Sequence, residues 1–142
     1  MRITFKGPVL IVHFEGKKDK MNEVLDCISN KYEGPIKNRE GHNFPSECIP
    51  STHLFAKYRV RCKYVIGVYN NKSIQHELLH AKYHIDKSYA EQINREWTEL
   101  DKNARNYIID FLRRLGYSDK VIIDEYQAYR YTEAPNFFGI KL

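Results

Sequence analysis

The run His76-Glu77-Leu78-Leu79-His80 constrains this chain more than any other feature. It lies in a helix-forming stretch. On a helix, His76 and His80 stand one turn apart, so both imidazoles can reach a single metal ion. Glu77 falls about 100° round the helix from His76. That is too far round to share the metal easily, but close enough to hold a water bound to it, which makes Glu77 the candidate general base. Ile74, Leu78, Ala81 and Ile85 form a stripe on the opposite side, and such a stripe is a core face. A helix with one apolar face and one histidine face suits the wall of a cleft. With six histidines in 142 residues, a chance H-E-x-x-H has a probability of roughly 2 %. The plainer alternative is a surface helix with two solvated histidines.

The flanks support the helix. Tyr64 to Tyr69 is apolar and rich in β-formers, Asn70-Asn71-Lys72 reads as a turn, and Ser73 stands where an N-cap belongs. Two histidines make a poor zinc site, so a third ligand is needed. Glu125 is the leading candidate. It lies in Ser118 to Tyr131, which reads as a helix capped by Ser118 with Val121, Ile122, Ala128, Tyr129 and Thr132 as its apolar stripe. Glu125 falls within that stripe, where a carboxylate is costly unless paired or metal-bound. Its alternative role is an edge-of-core Glu paired with Lys or Arg. His84 continues the face of His76 and His80, but three turns of one straight helix rarely converge on one ion. Asp86 has the spacing of the third ligand in H-E-x-x-H-x-x-G-x-x-H/D enzymes, yet Tyr83 occupies the place of the glycine that lets the backbone turn.

With these residues in view, the chain resembles a zincin metallopeptidase, and Glu125-Tyr126-Gln127-Ala128 makes it similar to the gluzincin branch, whose third ligand is a Glu on a second helix with a small residue one turn later. The likeness covers about Tyr64 to Tyr131. It implies zinc held by His76, His80 and Glu125, Glu77 as general base, and a peptide or protein substrate. The tyrosine or histidine that stabilises the oxyanion in many such enzymes has four candidates here: Tyr126, Tyr129, Tyr131 and His84.

Composition narrows the class. Length predicts one domain over residues 1–142, and 42 % apolar residues predict a globular core. The sequence has no transmembrane run, and no secretory leader is expected, since Pro8 to Phe14 is too short for an h-region; no membrane partner is expected. Cys27, Cys48 and Cys62 are odd in number and lack C-x-x-C spacing, which favours a reducing, intracellular compartment. The net charge is +5, spread along the chain. Tyr58-Arg59-Val60-Arg61-Cys62-Lys63-Tyr64 interleaves bases with aromatics and could bind single-stranded nucleic acid. Its alternation also fits a strand with one solvated face.

Along the chain, residues 9 to 14 read as a buried strand and Lys20 to Tyr32 as an amphipathic helix with Met21, Val24, Leu25 and Ile28 inward. Glu33 to Thr52 is rich in turn formers and reads as a lid or substrate loop. Strands are expected over Leu54 to Cys62 and Tyr64 to Tyr69, the second offering an edge to an extended substrate. Ser88 to Leu115 reads as one or two helices stopped by Gly116, with Leu100, Ala104, Tyr107, Ile108, Phe111 and Leu115 as the core stripe. Pro135 ends the Glu125 helix, and the apolar tail 136–140 is expected to dock. The fold class is therefore α+β: a small N-terminal sheet packed on a helical half that carries the H-E-x-x-H helix. The expected function is zinc-dependent peptide hydrolysis. The alternatives are a non-catalytic zinc-binding scaffold or a nucleic-acid-binding module on the same fold, and a metal-free interaction domain. Oligomeric state and substrate identity have no sequence signature.

Overall fold

The computed structural model describes residues 1–142. Its α+β architecture has a four-stranded mixed sheet at the N-terminal side and five helices. The strands are β1 (Arg2–Lys6), β2 (Val9–His13), β3 (His42–Pro45) and β4 (Tyr64–Val68), in the spatial order β1-β2-β4-β3. β1 and β2 form an antiparallel hairpin. β2 runs parallel to β4, and β3 closes the far side antiparallel to β4. Between β2 and β3 lies α1 (Lys18–Glu33); after β4 come α2 (Ile74–Ile85), α3 (Lys87–Glu99), α4 (Lys102–Leu115) and α5 (Ile122–Arg130).

The sheet is apolar on both faces because a helix covers each. Leu10, Val12, Phe14, Phe44 and Val65 meet Met21, Leu25 and Ile28 of α1. Val9, Ile11, Tyr64, Ile66 and Val68 meet Ala81 of α2, with Ile74, Leu78 and Ile85 packed alongside. These are the helix faces the sequence stripes predict. Val24, also expected inward, is only partly buried at the edge of its cluster. A third cluster holds the helical half together: Trp97, Ile108, Leu112, Tyr117, Val121, Ile122, Tyr126 and Phe138. Phe138 is the docked tail residue. Within the expected stripe of α4 the register is partly different, with Ile108 and Leu112 fully buried and Tyr107 exposed. Gly116 ends α4 in the left-handed conformation, φ 107°, as a C-terminal glycine does.

Three expectations are corrected. Leu54 to Cys62 is not a strand but a series of turns with one 3-10 turn at Ala56–Tyr58. Its alternation suits a strand, but both sides of β4, the strand it precedes, are taken by β2 and β3, so it cannot form a hairpin with β4. For the same reason β4 offers no free edge to a substrate; the edge strand beside α2 is β3. Nor is Glu33 to Thr52 one long lid or substrate loop: it contains β3, and Arg39, His42, Asn43, Phe44 and Ser46 within it are buried, so only the stretch before β3 remains a loop beside the site. β1 and β3 are elements the sequence reading did not anticipate.

The helix starts also differ from expectation. Ser73 occupies the N-cap position of α2 and Ser118 that of a 3-10 turn at Asp119–Val121, but neither side chain caps. α5 begins only at Ile122.

Candidate metal centre

Histidines at i and i+4 of α2 face the second helix, α5. His80 is fully buried, Glu125 is 1 % exposed, and His76 lies nearer the opening. Their donor atoms lie within 4.8 Å of one another. Nε2 of His76 and Nε2 of His80 are 3.2 Å apart. Glu125 Oε1 is 3.7 Å from His76 Nε2, and Oε2 is 3.3 Å from His80 Nε2. Donors bonded at about 2.0–2.1 Å to a tetrahedral ion stand roughly 3.4 Å from one another, and the spacing of the two nitrogens and of each nitrogen from one carboxylate oxygen is close to that.

The outer partners of the rings fix which nitrogen faces inward. Asp124 Oδ1 accepts a hydrogen bond from His80 Nδ1 at 2.7 Å. Thr132 Oγ1 gives its own proton to the Ala128 carbonyl at 2.6 Å, so it accepts from His76 Nδ1 at 3.3 Å. Both Nδ1 positions are thereby committed as donors, and both Nε2 atoms turn towards the Glu125 carboxylate. Gln127 anchors Asp124 in turn, donating to its Oδ1 and to the Leu79 carbonyl, 3.1 Å each.

This cluster favours positive charge. Glu125 Oε1 is buried without a hydrogen-bond partner. Burial opposes ionisation of Glu125, but the His80 and His76 imidazoles outweigh it and hold its pKa far below the usual carboxylate range. Burial likewise opposes protonation of His80, and the Asp124 and Glu125 carboxylates outweigh that too, raising its pKa well above the ordinary value. A cation shared between the rings and the carboxylate is what the residues present fit.

Glu77 is buried beside the cluster, and one of its oxygens has no partner. Burial pushes its pKa up; the two imidazoles pull it down, Glu125 raises it again and Asn43 lowers it, leaving it above the ordinary value. Alternation along β3 sets its neighbours. His42 and Phe44 face α1, so Asn43, and Gly41 just before the strand, face α2. A Cβ on Gly41 would stand 2.8 Å from Glu77 Oε1 and 3.1 Å from its carboxyl carbon. The glycine is what lets the chain cross so close to this carboxylate.

The cluster opens into a cleft of about 730 Å³. One wall is the segment from Ile36 to Gly41, braced by a buried ion pair in which Arg39 donates to Glu33 and, at 3.0 Å each, to Asn30 Oδ1 and the Gly34 carbonyl. Tyr129 and Tyr117 line the other side. Their hydroxyls are 2.8 Å apart, and the Tyr129 ring lies 4.5 Å from that of His76.

The alternative ligands have other work. Asp86 caps α3, accepting from Tyr89 N at 3.1 Å. His84 packs its ring on Tyr64, centroids 4.9 Å apart. Tyr126 and Tyr131 turn their hydroxyls to Glu96, away from the cleft. Sequence reasoning did not find Asp124, Thr132, Gly41 or Tyr117. Only Asp124 carried a signal, as a second acid beside Glu125 on an apolar helix.

No family model, curated protein or solved structure matches the chain. No helix is long and apolar enough to cross a membrane.

Proposed function

We propose that this chain is a zinc-dependent peptidase that hydrolyses peptide bonds with an activated water and without a covalent intermediate. The observation that carries the reading is the donor triangle of His76, His80 and Glu125, with both outer imidazole nitrogens already committed to Asp124 and Thr132. Two histidines and one glutamate are a donor set of hydrolytic zinc. Zinc bound there would act as a Lewis acid on the scissile carbonyl and acidify a water molecule. Glu77, with its raised pKa and unpartnered oxygen, would be the base that accepts a proton from the attacking water and passes it to the departing amine. Tyr129 is the oxyanion donor among the four candidates, because it alone lines the cleft. Its phenol stays protonated, since burial and the charge of Glu125 push its pKa up, and Tyr117 holds its hydroxyl. An extended peptide lies along the Gly41–Asn43 rim, where β3 is an edge strand. The resemblance to gluzincins supports the same assignment of roles.

The test pairs metal content with turnover. Protein purified without chelator should hold about one zinc per chain. Glu77→Gln should keep that zinc and the fold but lose peptide cleavage, because only the base is removed. Protein that takes up no added zinc, or a Glu77→Gln variant that still cleaves, overturns the reading.

A further inference from the structure

The turn segment that follows Leu54 lies at the end of the sheet opposite the cleft. β4 enters the sheet at Tyr64 and leaves it at Val68 towards α2 and the metal cluster, a run of roughly 13 Å at strand spacing. The segment precedes that entry point, and no residue from 53 to 63 lines the cleft. A hydrogen bond of 2.7 Å from Lys63 N to the Pro8 carbonyl ties it to the β1–β2 turn.

This end of the molecule is cationic and partly apolar. Lys57, Arg59, Arg61 and Lys63 fall within seven residues, with no Asp or Glu between Leu54 and Tyr64. None of the four is in an ion pair. The Arg61 guanidinium lies 5.0 Å from the centre of the Phe5 ring and 5.7 Å from that of Tyr58, and the Lys57 ammonium lies 5.4 Å from Tyr58. Among these cations, Val60 is 94 % exposed, Leu54 55 % and Phe5 41 %.

We propose that this surface docks the protein on an anionic lipid membrane. A single exposed valine is ordinary, and so is a solvated lysine. Four unpaired cations set around aliphatic tips are complementary to a negatively charged headgroup layer with an acyl boundary beneath it. The cations meet the headgroups, and Val60, flanked by Arg59 and Arg61, enters the boundary. Single-stranded nucleic acid would stack on aromatic faces, but Arg61 and Lys57 cover those of Phe5 and Tyr58, and the groups left free are aliphatic. Attachment is peripheral, and it revises the expectation that no membrane partner exists. Docked at this end, the protein keeps its cleft open to solvent. The inference does not depend on the metal centre.

Co-sedimentation of the full chain with lipid vesicles tests it. Vesicles of phosphatidylcholine with about one third phosphatidylserine should bind the protein, and phosphatidylcholine alone should bind it at least about tenfold more weakly; raised salt should release it. Val60→Asp changes a fully solvated side chain, should leave the melting temperature unchanged, and should weaken binding at least about tenfold. In Val60→Trp, the added indole emission should shift to the blue with the phosphatidylserine vesicles only. No binding to these vesicles, equal binding by Val60→Asp, or a single-stranded RNA oligonucleotide that binds more tightly than the vesicles would each overturn the proposal.

Discussion

Asp124 shows how much of a candidate metal centre lies one bond beyond the three residues that could hold the ion. Its carboxylate sits 2.7 Å from His80 Nδ1, is buried, and is itself held by Gln127. It fixes the tautomer that turns His80 Nε2 inward, and it sharpens the donor character of that nitrogen. Asp124→Asn keeps the shape but can present an amide N–H to the ring. Zinc affinity should fall about 10- to 100-fold with the fold retained, as competitive titration against a chelator will read. Tyr129 differs, since its hydroxyl pairs with Tyr117 and with no donor atom of the triangle, and the role proposed for it lies in the reaction. Tyr129→Phe should leave zinc stoichiometry unchanged and lower kcat by about a hundredfold or more, with KM little altered. Equal loss of zinc and turnover would return Tyr129 to a packing role. Gly41 adds a backbone case: in Gly41→Ala the new methyl would displace the Glu77 carboxylate, so cleavage should drop while metal stays.

At the scale of elements, the site is a meeting of two helices and one strand. α2 brings the paired histidines, α5 brings Glu125 and Asp124, and β3 with the chain before it carries Gly41 and Asn43 against Glu77. The α2–α3 junction separates ligand from cap. Asp86→Ala removes the cap of α3 and should destabilise the protein by about 1 kcal/mol in urea without altering zinc binding. Glu125→Ala removes a corner of the triangle and should weaken zinc at least about tenfold. The reverse pattern would reassign the third ligand. Because Phe44 is fully buried in the α1 cluster, shortening the segment between Gly34 and Pro45 should now lower the melting temperature along with any activity. That is not the behaviour of a lid.

The molecule as a whole should also respond to pH through a ring on β3 that faces α1 and not the cleft. His42 is buried between α1 and the sheet. Its Nδ1 lies 2.7 Å from the Ser29 hydroxyl and its Nε2 2.9 Å from Asn22 Oδ1, a pattern a neutral ring satisfies by accepting at Nδ1 and donating at Nε2. Burial, aided by the Arg39 charge, lowers its pKa to about 3. The unfolded chain titrates this ring near about 6.5 and so binds more protons than the folded chain between these values. The stability is complete above the unfolded pKa and is lost as pH falls towards the folded one, with a slope approaching 1.4 kcal/mol per pH unit at most, as an order of magnitude. Urea midpoints measured from about pH 7 to pH 4 should therefore fall more steeply for the native chain than for His42→Gln. Parallel curves would show that the ring is protonated in the fold.

His76, Glu77 and His80 were legible in the sequence because their geometry is local: four residues on a helix fix the spacing of two rings whatever surrounds them. The stripes of α1 and α2, the buried β2 and the acid at Glu125 were legible for the same reason, since a period of hydrophobicity says which face goes inward. What faces what is a different kind of fact. Thr132 became a partner of His76 and Tyr117 a partner of Tyr129 only through the approach of α5 to its neighbours. Gly41 became the cradle of Glu77 only because β3, unmarked by any pattern, pairs with β4. Leu54 to Cys62 carries the alternation of a strand and is none, because a ladder beside β4 needs a free neighbour and both sides of β4 are taken by β2 and β3. Periodicity is a property of one element, whereas pairing, capping and second partners are decided by competition among all of them for the same surfaces.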